Sequence, residues 1–131
     1  MKNLKMFCAV FILFLPLFSM AQDAAVAGDW KTMIPGQDGT TMIPLKVKIA
    51  EDGTYTLDFG GDGVVDVKGT YKTDGNQIIV KDVVEEGKEG CDGKGVYNFS
   101  VNNDTLVMER VSDECPGRGG EDGRMEMKRD K

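Results

Sequence analysis

Leu45-Lys46-Val47-Lys48-Ile49-Ala50-Glu51-Asp52-Gly53-Thr54-Tyr55-Thr56-Leu57-Asp58-Phe59 decides the fold class. Leu45, Val47 and Ile49 point one way while Lys46 and Lys48 point the other. Tyr55, Leu57 and Phe59 repeat the pattern against Thr54, Thr56 and Asp58. A period of two marks half-buried strands, because successive side chains leave a strand on opposite faces. Between the runs, Glu51-Asp52-Gly53 supplies residues that tolerate the positive φ of a tight hairpin turn.

The pattern extends outward in both directions. Val65, Val67 and Tyr71 alternate with Asp66, Lys68 and Thr70, and Gly69 inside them marks a bend or bulge. Tyr97, Phe99 and Val101 oppose Asn98 and Ser100, and Met125 and Met127 oppose Arg124, Glu126 and Lys128. Ile78-Ile79-Val80 and Leu106-Val107-Met108 are short apolar runs between turn residues. From Gly28 onward this gives eight strands, near 28–34, 42–50, 54–60, 64–73, 77–84, 95–102, 105–111 and 123–129. The second, fourth and sixth connections are short, and the odd ones are looser and richer in glycine. Even spacing and turn signals predict an antiparallel up-and-down meander. Closed into a small barrel, it leaves no exposed edge. A two-sheet sandwich fits the same patterning. Thr32-Met33-Ile34-Pro35 recurs as Thr41-Met42-Ile43-Pro44, but two copies do not make a repeat fold.

The first 21 residues read differently. Lys2 and Lys5 precede an apolar run from Met6 to Phe18, and Ser19-Met20-Ala21 closes it with small residues. These are the parts of a secretory signal, too short for a comfortable membrane span. The expected organisation is a signal over 1–21, a linker over 22–27 and one barrel domain over 28–129. The exported product would be periplasmic or extracellular. All 22 acids lie after the cut, against 14 bases, for a charge of −8. That balance argues against nucleic acid and against anionic membrane surfaces as partners.

Cys8 leaves with the signal, so Cys91 and Cys115 remain. In an exported chain they are expected to form a disulfide. The closed loop stabilises by roughly 3 kcal/mol in the chain-entropy model. In an up-and-down meander the fifth and seventh connections lie at the same end, as the bridge requires. With no histidine and no second cysteine pair, zinc is not expected.

Gly28-Asp29-Trp30 opens the first strand, and Trp30 is the single tryptophan. Here the chain resembles the lipocalin superfamily, which carries Gly-x-Trp on its first strand. It is more closely similar to short secreted lipocalin-like domains of the Bacteroidota. The residues that carry this are Gly69-Thr70-Tyr71, Cys91 before Gly95-Val96-Tyr97, and Asp113-Glu114-Cys115-Pro116-Gly117-Arg118. The usual Thr-Asp-Tyr segment and the helix after the barrel are missing. The resemblance implies a barrel closed at its base by Trp30 and open at the end where the odd loops gather.

The inward candidates are Leu45, Val47, Tyr55, Leu57, Phe59, Tyr71, Tyr97, Phe99 and Met108. They either line a pocket for an apolar molecule or simply fill the core, since a barrel of this size can do both. Arg118 either meets a ligand at the mouth or pairs with Asp113 or Glu114 on a solvated loop. Trp30 reads as core, with a basic side chain stacked on its face.

Asp58 to Asp66 faintly resembles a calcium loop. Read as an EF-hand, it has glycine where oxygen donors are needed, and it lies between strands. Gly117-Arg118-Gly119-Gly120 does not lead from a strand into a helix, so it is no phosphate cradle. Without histidine no Ser-His or Cys-His pair forms, and no enzyme and no cofactor are expected. The favoured function is binding of a small apolar or amphipathic molecule through the open end. The alternative is a solid-core interaction or inhibitor module that contacts a macromolecule through its disulfide-braced loops.

Overall fold

The computed structural model describes residues 25–131, so the expected signal lies outside the described residues. Eight strands follow in order: β1 (Gly28–Pro35), β2 (Met42–Ile49), β3 (Thr54–Phe59), β4 (Val67–Asp74), β5 (Gln77–Val83), β6 (Lys94–Asn102), β7 (Thr105–Asp113) and β8 (Arg124–Arg129). Each pairs antiparallel with the next, and β8 returns to β1, so the sheet is a closed barrel and not a sandwich. The closing seam is short, with Trp30 opposite Arg129 and Lys31 opposite Lys128.

Register follows the alternation. Leu45, Val47 and Ile49 face Phe59, Leu57 and Tyr55 across β2 and β3. A pair directly opposed in a sheet shares one face, and this face is the interior. The even connections turn on left-handed residues at Gly53, Gly75 and Asn103, as short hairpins require. The odd connections gather at the opposite end. There the Cys91–Cys115 bridge ties the fifth to the seventh, with Cα atoms 5.8 Å apart. Such a bridge belongs to an oxidising compartment. Among the described residues, no helix is long and apolar enough to cross a membrane.

The even end is solid. Trp30 and Val26 are fully buried there, in one cluster with Ile49, Leu106 and Met127. The Trp30 indole N–H donates to Val26 O at 2.9 Å, so the ring's one polar atom is satisfied. The Arg129 guanidinium lies 4.2 Å from the ring centroid and stacks on it, as the sequence suggests. The core therefore begins at Val26, two residues ahead of β1.

Two expectations need correction. β4 starts at Val67 and not near 64, and Val64 and Val65 are exposed. Carboxylates close the preceding loop: Asp58 accepts from the amides of Asp62 and Gly63, and Asp66 accepts from that of Phe59. These bonds draw residues 60–66 out of the ladder. Gly69 is neither bend nor bulge, for it pairs regularly with Tyr55 on one side and Asp82 on the other. The register shift lies instead between Val96 and Tyr97, where β7 carries Val111 as an extra residue.

Candidate functional site

Above the packed base the barrel is hollow. A half-open cavity of about 1160 Å³ opens at the odd-loop end and along the unpaired stretch between Thr32–Pro35 and Arg124–Met127. Tyr55, Leu57, Phe59, Tyr71, Tyr97, Met108 and Arg118 line it, together with Leu45 and Val47. Phe59 stands at the rim and is partly exposed. Phe99 belongs to the buried cluster and does not reach the cavity wall. It sits two residues further from the mouth than Tyr97, on the same face of β6.

A polar cluster crosses the upper wall. Tyr55, Gly69 and Asp82 lie in one row across β3, β4 and β5. A Cβ on Gly69 would stand 2.1 Å from Tyr55 Cζ, so the missing side chain is the seat of that ring. Lying flat over Gly69, Tyr55 donates its hydroxyl to Asp82. β6 and β7 repeat the device along the strand. Gly95 pairs with Asp113, and a Cβ on Gly95 would meet both Asp113 Oδ2 (2.7 Å) and Tyr97 Cε2 (2.9 Å). Tyr97 passes over Gly95 and donates to Asp113.

Arg118 joins the two halves from the loop that follows β7. Its Nε and Nη2 each bond Asp113 at 2.8 Å, a bidentate pair, and Nη2 also donates to Gly93 O at 2.5 Å. Nη1 stands 3.4 Å from Asp82 Oδ2. Arg110, opposite Tyr97, holds the same loop by donating to the carbonyls of Arg118 and Gly120. Arg118 thus pairs with Asp113, not Glu114, and its side chain is 16 % exposed, so the pair is largely buried and not solvated.

The electrostatics follow from these contacts. Burial pushes the Asp113 carboxyl up, but the bonds from Arg118, Tyr97 and the Cys115 amide together outweigh it and hold the group at about 2. Burial and then the adjacent Asp113 push the Tyr97 hydroxyl up to about 12. Burial and Asp82 raise Tyr55 as well. The hydrogen bond to Asp113 raises the Arg118 guanidinium against the opposing effect of burial. At neutral pH the cluster holds two neutral phenols and a tightly paired arginine.

Sequence reading misses Asp82 as a wall residue, though a signal was present. Ile78 and Val80 are inward, and the same parity carries Asp82 inward. Asp113 offers no such signal as a wall-side group. Counted from Met108 and Arg110, it should face out. The extra residue Val111 flips the phase, leaving Val111 and Ser112 exposed in succession and turning Asp113 in. On the outer surface, Asp58, Asp62 and Asp66 bring carboxylate oxygens within 4.8 Å of one another. Each already accepts a loop amide, and these bonds account for the arrangement.

Compared with protein-family models, curated proteins and solved structures, the chain matches none.

Proposed function

We propose that this is an exported, lipocalin-like carrier that binds a small apolar or amphipathic molecule through the open end of its barrel. One observation carries the reading: the hollow of about 1160 Å³ above the Trp30 base. Ligand pockets usually span about 300–1,000 Å³ and combine apolar walls with a few placed polar groups. Leu45, Val47, Leu57 and Met108 supply the apolar wall, and the Tyr55–Asp82–Arg118 cluster supplies the polar groups. Burial of a ligand's apolar surface, at about 25 cal/mol per Å², would drive binding without any chemistry. The cluster suits binding better than catalysis, because its carboxylates, phenols and guanidinium are bonded to one another. The hollow also weighs against an interaction module with a filled interior. The apolar run before Ala21 and the Cys91–Cys115 bridge support export.

Native mass spectrometry after incubation with cell extract tests the reading. The purified protein should retain a small adduct, and Leu57→Trp, which fills the hollow, should lose it. A folded wild-type protein that stays bare after exposure overturns the proposal.

A further inference from the structure

The acidity of the chain is concentrated at the mouth. Three of the connections there, residues 36–41, 84–93 and 114–123, hold eight Asp or Glu against Lys88 and Arg118, a net charge of −6, while the fourth, 60–66, folds over the outer surface beside Lys46. The remaining described residues hold thirteen acids and twelve bases, and so are almost neutral. A cleft rimmed by one sign of charge above low-dielectric walls focuses the field and concentrates ions of the opposite sign.

The wall of the cavity has the same bias: Asp82, Glu121, Asp122 and Glu126 line it against Arg118 and Arg124. Within the polar cluster Asp82 and Asp113 pair with Arg118, and Arg110 stands beside the Tyr97 hydroxyl with its guanidinium given to the carbonyls of Arg118 and Gly120. The Arg118 guanidinium gives Nε and Nη2 to Asp113 and Gly93 O, and Nη1, which makes no hydrogen bond, is buried beside Asp82, so no donor of Arg118 is exposed to an anionic head group. Asp82 lies on the cavity wall and keeps a fifth of its side chain exposed. Tyr55, Phe59, Tyr71 and Tyr97 add ring systems to the same wall, and a ring face attracts a cation within about 6 Å.

Building on the carrier reading above, we propose that the cavity selects an amphiphile with a cationic head, such as an alkyl or aryl amine. Its apolar body lies along Leu45, Leu57 and Met108, and its ammonium group faces Asp82 and the tyrosines. A fatty carboxylate of the same shape is repelled at the rim and again at Asp82.

The test is a matched series of dodecylamine, dodecanol and dodecanoate, each kept monomeric and titrated calorimetrically into the full chain. The amine should bind about tenfold or more tighter than the carboxylate, with the alcohol between them, and the spread should shrink as salt rises. Asp82→Asn should reduce the amine's advantage over the alcohol. Because Asp82 also holds Tyr55, a second variant uses exposed loop positions only. The triple change Glu85→Gln, Glu86→Gln and Glu89→Gln should narrow the same ratio and slow association of the amine. Equal affinities, or a preference for dodecanoate, overturn the cationic assignment and leave the carrier reading standing. If none of the three binds, both fall.

Discussion

Gly69 does its work by having no side chain. A strand interior ordinarily loses stability through glycine, and alanine should improve it. Here the Tyr55 ring occupies the place of the Cβ and reaches Asp82 on the strand beyond. Gly69→Ala is therefore expected to destabilise by about 2 kcal/mol, the cost of overpacking plus a displaced hydroxyl. Urea unfolding of the variant measures it, and a gain in stability would show that the ring is free to move aside. Tyr55 and Gly69 are both evident in the sequence as residues. Their coupling is not, because it depends on a register that places positions 55, 69 and 82 in one row.

Among the elements, the hairpins were the most legible. Short turns at 51–53, 75–76 and 103–104 announce themselves by Gly, Asn and Asp, and the strands on either side alternate cleanly. Where the reading failed, side chains had replaced ladder bonds, as at Asp58 and Asp66, or an extra residue had shifted the phase, as at Val111. The strand pairs are also unequal. β6 and β7 pair from Gly95–Asp113 to Asn102–Thr105, whereas β1 and β8 meet only at Trp30–Arg129 and Lys31–Lys128. The barrel should open first along that seam. Native-state hydrogen exchange is expected to show the facing amides of β1 and β8 losing protection well before those shared by β6 and β7. Uniform protection around the cylinder would contradict a weak seam.

At the scale of the whole molecule, stability should be flat across neutral pH and fall at both extremes. The chain has no histidine to titrate between about pH 5 and 8. Asp113 is held at about 2, below the ordinary carboxylate value, so its contribution is full above about pH 4 and is lost as pH falls toward 2. Tyr97 is raised to about 12, so its contribution is full below about pH 10 and is lost as pH climbs through 12. Urea midpoints across that range should trace a plateau with two shoulders, and a steady slope through neutrality would refute this. The sequence by itself determined eight strands, their order and the common end of the two cysteines, because alternation and turn chemistry are local. It also fixed the total charge. Only the tertiary structure decided that the barrel closes, that its upper half is hollow, and that the negative charge is gathered around the opening. Those properties depend on strand stagger, on one phase-shifting residue and on how large side chains lie across small ones, none of which local pattern encodes.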